Sequence, residues 1–540
     1  MEGLRGGGHG EAAVDGGDER WVEDSSVDYE GRPPLRAATG SWKAAMFIIL
    51  IEFSERLSYF GLATSLMIYL TKVLQEEMKF AAKNVNYWTS VTTLMPLVGG
   101  FLADGYLGRF STVLFSTLIY LSGLILLAIS QLSPRLKPER NLHLHETLFF
   151  VAIYLVSVGT GGHKPALESF GADQFDDGHA AERVQKMSYF NWWNCALCAG
   201  VLLGVTVIVY LQEKVGWGAA AVVLAAVMAA SLAVFLAGWR HYRYRVPEGS
   251  PLTPLVRVLV AAARKRHLHL PADANELYEV EETKLVLAMV PIWVATLPFG
   301  ITAAQVSTFF IKQSSVMDRR MGPHFTLPPA STFAMAAIGM IVAVAVYDKV
   351  LEPYLRRLTG GERGLSILKR IGVGIAFTIV AMAVAATVER RRLRSASPAS
   401  MSVFWLVPQF LLMGIGDGFA LVGLQEYFYD QVPDSMRSLG IGLYLSVIGA
   451  GSFLSSQLIT AVDRVTSHGG AAAGWFGKDL NSSRLDLFYW LLACIGVANL
   501  VFYVVVATRY SYKTVMAGGK VVDDKAGDIE CAAAAAAAAY

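Results

Sequence analysis

The chain has 540 residues, of which 54% are hydrophobic and 17% charged, against about 25% charged in soluble domains. Its 46 basic and 44 acidic residues leave a net charge of +2, which gives no reason to expect nucleic acid as a partner. Cys195, Cys198, Cys494 and Cys531 are too few for a disulfide framework, so neither a soluble globular domain nor a secreted disulfide scaffold fits.

The apolar residues gather in blocks of roughly 20, the length a helix needs to cross about 30 Å of hydrocarbon. Residues 1–41 are Gly-rich and acidic, with no apolar stretch before Trp42. They read as a disordered cytosolic N-terminus and not as a signal peptide. Residues 42–239 hold six spans, centred near Ile51, Met95, Ile119, Leu155, Leu203 and Val227. Residues 240–283, including "RKRHLHLPADANELYEVEETK", form a cytosolic linker, either an amphipathic surface helix or a solvated connector. Residues 284–512 hold six more spans, centred near Ala295, Ile341, Phe377, Met413, Ile448 and Ala493, and residues 513–540 are a cytosolic tail. The expected fold is therefore an all-α integral membrane protein. Its twelve transmembrane helices form two six-helix halves, the layout of the major facilitator fold.

Two echoes support a duplication. "GGFLADGYLGR" follows the second span, with Asp104 and Arg109, and "AVAVYDKVLEPYLRR" follows the eighth, with Asp348 and Arg356. Lys and Arg near the span ends put both termini in the cytosol. One segment, "ERRRLR" from Glu389 to Arg394, falls on the opposite side and breaks that bias.

The first span contains "FIILIEFSERLSYFG", which places Glu52, Glu55 and Arg56 on one helical face. A charged side chain at mid-span costs about 2.5–3.5 kcal/mol on insertion scales, so three would roughly cancel the gain from a whole apolar span. They are tolerable facing a watery cavity or paired inside the bundle. Lys164 sits in "GTGGHKP", where three glycines and Pro165 permit close helix approach or a kink. It either faces the cavity or snorkels to an interface, and His163 beside it reads as a packing residue. Glu426, apolar on both sides and followed by Asp430 and Pro433, sits about two turns inside its span and is the counterpart in the second half. Asp417 lies nearer the other end of that span and reads as facing water. Tyr189, Phe190, Trp192 and Trp193 read as an interface belt. Tyr59 is a candidate cavity residue, and Gln305 either lines the cavity or bonds a neighbouring helix. The C-x-x-C of Cys195 and Cys198 has no His nearby and reads as small packing residues. No metal-spaced His cluster and no nucleophile–base pair stands out, so neither an enzyme nor a bound cofactor is expected.

Over residues 40–515 the chain resembles the plant nitrate and peptide transporter family, the proton-dependent oligopeptide branch of the major facilitators. The motifs that carry the resemblance are "EFSERLSYFG", "LADGYLGRF", "GTGGHKP" with "FGADQFDD", "YFNWW" and "GLQEYFYDQVPDSMRSLG". The resemblance implies an alternating-access symporter whose partners are protons and a small solute. It also implies that the E-x-x-E-R of Glu52, Glu55 and Arg56 takes part in proton coupling, with Lys164 and Glu426 at the central site. Two anchors of peptide carriers are absent: Ala63 stands where they have arginine, and Cys198 where they tend to have asparagine. Residues 285–312 also lack the histidine used by one nitrate-binding branch.

The expectation is a proton-coupled symporter in a plasma or vacuolar membrane, with nitrate narrowly ahead of di- and tripeptides. Glu52 and Glu55 carry the proton, and Arg56 holds their pKa and orientation; the three together are the proton-coupling group. Lys164 and Glu426, with Tyr59 and Gln305, serve substrate binding and gating. The alternatives are a carrier of another anionic metabolite or hormone, and a solute sensor with little flux.

Overall fold

In the computed structural model the described residues are 21–22, 24–176, 178–245, 260, 264, 281–359, 365–395, 401–432, 437–467, 474–510, 516–517 and 520–521. Apart from a two-residue ladder at Met516–Ala517 and Lys520–Val521, the regular structure is helical. The first half contains α1 (Ser41–Ala63), α2 (Leu66–Lys72), α3 (Met78–Leu102), α4 (Arg109–Leu132), α5 (Leu142–Ala172), α6 (Ala180–Leu203), α7 (Val209–Lys214) and α8 (Trp217–Ala237). The second contains α9 (Glu281–Gln305), α10 (Ile311–Ser315), α11 (Phe333–Val346), α12 (Glu352–Thr359), α13 (Ile367–Arg394), α14 (Val407–Gln431), α15 (Arg437–Ser467) and α16 (Leu485–Arg509).

Single π-turns join α6 to α7 (Gly204–Ile208), α9 to α10 (Val306–Phe310) and α11 to α12 (Tyr347–Leu351), so each pair is one continuous span. Among the described residues, ten spans are long and apolar enough to cross a membrane. The other two membrane-length helices, α1 and α3, have 23 and 25 residues. They are less apolar, because α1 carries Glu52, Glu55 and Arg56 and α3 carries Asn86, Thr89, Ser90, Thr92 and Thr93. Their polar faces are turned inward: α1 packs along α6 and α8, and α3 lies between α5 and α15. The twelve spans expected from the sequence are therefore present. The end of the bundle that carries the starts of α1 and α9 is called inner below.

The internal echo has a structural form. The second span ends in a π-turn at Ala103–Leu107, and the eighth contains one at Tyr347–Leu351. Both turns coincide with the stretches whose sequences repeat. The helices pack closely where glycine removes the side chain. A Cβ on Gly99 would collide with the Gly161 carbonyl, so α3 and α5 meet backbone to backbone just before Lys164.

Three expectations need correction. Residues 21–22 and 24–40 are not disordered: Trp21 bridges Leu35, Val27 bridges Tyr244, and Arg36 reaches Glu182 and Asp176. Ion pairs and ladder bonds across 140 or more residues offset the entropy that composition alone suggests. Gly40 makes the turn into α1 with φ +70°, and a side chain there would strike the Arg243 guanidinium. Cys195 and Cys198 are exposed free thiols and not packing residues. Tyr189 and Trp193 are buried in an aromatic core with Phe175, and only Trp192 of that quartet is largely exposed. Most of the linker, the tail "CAAAAAAAAY" and Cys531 lie outside the described residues.

Pairing accounts for one of the cations in the anomalous "ERRRLR" segment. Glu389 and Arg392 are both fully buried, with Arg392 Nη2 2.8 Å from Glu389 Oε1. Gln313 Nε2 donates to Glu389 Oε2 at 2.7 Å, and Arg392 Nη1 donates to Asn481 at 2.6 Å. Arg391 lies over the Trp405 ring at 4.1 Å. The Arg392 cation is thus spent inside the outer end of the bundle, while Arg390, Arg391 and Arg394 are exposed there.

Glu76, in the turn between α2 and α3, accepts two hydrogen bonds from Asn84. Burial pushes its carboxyl up to about 7 from the ordinary 4.5. A raised folded-state value means that this group's contribution to stability is complete below about 4.5 and is lost as pH rises through about 7. Glu76→Gln is therefore expected to flatten the fall in melting temperature between mildly acidic and mildly alkaline detergent solution. An unchanged fall would show that this carboxyl does not titrate there.

Candidate functional site

The site begins on the inward face of α1. Arg56 Nε lies 2.8 Å from both Glu52 Oε1 and Glu55 Oε2, and the three residues are only 8, 4 and 0% exposed. Neither contact is aligned as a hydrogen bond, since Arg56 Nε and Glu55 Oε2 have no hydrogen-bond partner among the described residues. The cluster is held by charge more than by directed bonds. Thr160 on α5 donates to Glu55 Oε1 at 3.3 Å. A buried ion cluster of this kind has a large desolvation cost, so changing the charge on one member strongly affects the others.

Lys164 projects from α5 over the ring of Tyr59, 5.1 Å from its centroid, and Tyr59 stacks on Trp88 with centroids 5.6 Å apart. Lys164 also lies within electrostatic reach of Glu52, Glu55 and Arg56. One turn further along α5, Glu168 is within reach of Glu52 and Arg56. It is a cluster member missed in the sequence, although Lys164 and Glu168 stand four apart. His163 turns the other way, into the core, where its Nε2 lies 3.0 Å from Thr117 Oγ1. That hydroxyl also lies 2.7 Å from the Val113 carbonyl and donates to it, so it accepts from the imidazole Nε2–H.

The second half contributes differently from the sequence expectation. Glu426 lies 3.5 Å from Arg370 Nη1 on α13, and Arg370 covers the Tyr347 ring at 4.3 Å. This group sits near the inner end of α14. Asp417 lies near the middle of α14 rather than facing water at an end, and its buried Oδ1 has no hydrogen-bond partner among the described residues. Tyr444 on α15 is within electrostatic reach of both Asp417 and Arg56. The signal of Asp417 in the sequence was a lone acid among the glycines of "MGIGDGFAL". Gln305 is fully buried and bonds a neighbouring helix. Its Nε2 donates to Ile301 O at 2.8 Å and to Ser455 Oγ at 3.1 Å. Asn86 on α3 lies 3.2 Å from the same hydroxyl, which links the halves above the charges.

At the outer end the halves are joined by Lys79 to Asp463 at 3.2 Å and by Arg319 to Glu213 at 3.0 Å. Ser331 adds a bond to the Val205 carbonyl at 2.7 Å. The two helices that carry Lys164 and Glu426 hold them toward partners in their own halves. Among the described residues, no group of three His, Cys, Asp or Glu is placed to hold a metal ion.

A family model described as PTR2, the POT family, matches residues 110–277 and 271–476. Protein NRT1/PTR FAMILY 5.6 of Arabidopsis thaliana is 53% identical over 92% of this chain and 96% of its own length. Protein NRT1/PTR FAMILY 5.7 of the same plant is 52% identical over 95% and 96%. The chain belongs to the POT family of membrane transporters. As a POT-family protein it is an integral, multi-pass membrane transporter and not an enzyme.

Solved POT-family structures agree on the fold. An auto-inhibited POT family peptide transporter superposes with a TM-score of 0.70 at 22% identity, over 89% of this chain and 98% of that one. The POT family transporter PepTSo superposes with a TM-score of 0.70 at 20% identity, over 86% and 98%. The two-half, twelve-helix architecture expected from the sequence is thus the POT-family arrangement.

Proposed function

We propose that this POT-family protein is a proton-coupled symporter. It moves a small nitrogenous solute, nitrate or a di- or tripeptide, across a plasma or vacuolar membrane by alternating access. The observation that carries the reading is Arg56, held 2.8 Å from two buried carboxylates and within electrostatic reach of Lys164. Protonating Glu52 or Glu55 removes part of the attraction on Arg56 and frees positive charge to meet an anionic or zwitterionic solute. Lys164, against Tyr59, supplies the second cation. Asp417 supplies the opposing carboxylate in the second half, while Glu426 with Arg370 acts at the inner mouth. Gln305 acts in the gate above the site, through Ser455.

Residues 42–239 and 284–512 are the two rocking bodies, and the inner side is cytosolic. Residues 1–41, 240–283 and 513–540 are cytosolic as well. The outer ion pairs support a state open toward the cytosol, from which closure brings α5 and α14 together.

Solved proteins of this fold were crystallised with sulfate and with 5-aminolevulinic acid, an oxyanion and a charged amino acid. Both suit a site built on Arg56 and Lys164. The absence of two peptide anchors, at Ala63 and Cys198, keeps nitrate narrowly ahead of peptides.

The test is current and isotope uptake in oocytes at acidic and neutral external pH, offering nitrate and then a dipeptide, with surface protein confirmed. An inward, acid-stimulated current with one solute supports the reading and names the substrate class. Uptake without acid stimulation removes proton coupling. Silence toward both solutes despite surface protein turns the search to other anionic metabolites or hormones and to a sensor with little flux.

A further inference from the structure

Seven charged residues are drawn together at the inner end of the first half, away from the central site. They come from four separate stretches of chain. Arg36 lies before α1, Arg109 at the start of α4, and Arg243 and Arg245 after α8. Asp173 and Asp176 belong to the α5–α6 turn and Glu182 to the first turn of α6. Asp173 is shared by Arg109 and by Arg245 Nε, the latter at 3.2 Å. Glu182 is shared by Arg36 Nη1 at 2.7 Å and by Arg243 Nη1 at 2.6 Å. Arg36 Nη2 reaches Asp176 Oδ2 at 2.9 Å. Arg243 is fully buried, so its charge is tolerable only with these partners.

Backbone contacts reinforce the knot. Ser41 N–H donates to the Gln174 carbonyl at 2.6 Å, and Gln174 exchanges side-chain bonds with the Arg243 backbone at 2.8 and 3.1 Å. The start of α1 is thereby tied to the turn that ends α5.

That tie has a functional geometry. Lys164 lies about two turns before the end of α5. Glu52, Glu55 and Arg56 lie on α1, whose start is held to the same turn. We propose that Arg36 is a positioning residue for transport. By bridging Asp176 and Glu182 it makes the α5–α6 hairpin move with α1, so that Lys164 keeps its place over Tyr59 while the halves rock. The inference rests on the symporter reading for its consequence, but not for its geometry. A guanidinium suits the task because it engages two carboxylates on separate nitrogens, which a single ammonium does less well.

Two measurements test it. In the first, spin labels are placed on a background lacking the native cysteines by Gly178→Cys in the turn and Met46→Cys at an exposed position near the start of α1. The distance distribution is then compared with and without Arg36→Ala. A narrow distribution that broadens is expected, and an unchanged one overturns the proposal whatever the protein carries. In the second, Arg36→Ala is expected to lower proton-driven accumulation about tenfold, what one charge-assisted hydrogen bond is worth, while solute exchange and surface protein stay near wild type. Arg36→Lys should restore part of the loss. A wild-type accumulation ratio and pH profile would overturn the proposal. If Arg36→Ala does not reach the membrane, Asp176→Asn decides both measurements. It removes one of the two carboxylates bridged by Arg36 but keeps the Oδ1 acceptor that bonds Gly178 N–H at 2.9 Å. A wild-type result for Asp176→Asn in both then overturns the proposal. Failure of wild-type protein to couple uptake to protons sinks the symporter reading and leaves the distance result standing.

Discussion

Glu55→Gln is expected to abolish uphill accumulation while solute exchange continues. Glutamine has the shape of the native residue and keeps an oxygen for Thr160, whose hydroxyl bonds Glu55 Oε1 at 3.3 Å. It cannot release a proton, and its attraction for Arg56, now 2.8 Å from Glu55 Oε2, is lost. A membrane potential of 100 mV supplies about 2.3 kcal/mol per elementary charge, or roughly a 50-fold gradient for each coupled proton. Loss of one coupled proton should therefore reduce the steady-state accumulation ratio in proteoliposomes by about that factor. Exchange at equal solute concentrations draws nothing from the gradient and should fall by only a few-fold. Full accumulation in the mutant, with unchanged dependence on external pH, would take Glu55 out of the coupling path.

The second large effect concerns stability. Arg392→Met leaves Glu389 fully buried with its cation gone. Gln313 alone does not compensate a buried carboxylate, so the cost is about 3–5 kcal/mol. Replacing both partners, Glu389→Gln with Arg392→Met, removes the charges together and should recover most of that loss. Melting temperatures of the wild type and the two variants in detergent decide the matter. If the single and double variants melt together, the buried charge is not the source of the loss. The comparison matters for function because Gln313, bonded to Glu389, stands on the outer tip of the α9–α10 span.

Much of the fold was open to reading because charge is so scarce in the spans. The same scarcity singled out Glu52, Glu55, Arg56 and Lys164, which the structure draws into one cluster with Glu168. The C-terminal half was harder to read. Glu426 was placed deep by counting back from Pro433. Helix α14 continues to Gln431, however, and the bundle supplies Arg370 from a helix 56 residues away in sequence. Depth and partner are tertiary facts, and no local pattern encodes either. Asp417 carries the converse lesson, since a lone acid beside glycines looks like a helix end until its neighbours are placed. The order in residues 21–22 and 24–40 was hidden for the same reason. Arg36 lies 146 residues from Glu182, and a polar, Gly-containing stretch reads as solvated until its distant partners are known.

The π-turn at Val306–Phe310 bears on how this transporter tolerates insertion and deletion. A π-turn accommodates one surplus residue without lengthening the helix by a full step. Each residue of an α-helix turns the chain by about 100°, so a surplus residue in a regular helix would rotate everything beyond it. The π-turn takes up that residue within one turn, and Gln313 beyond it still meets Glu389. Removing one residue from this turn would leave the span able to cross the bilayer, with nearly the same hydropathy. The turn would close as an ordinary α-turn and Gln313 would keep its direction toward the buried carboxylate. In this part of the chain, a change in residue number is absorbed before it becomes a change in angle.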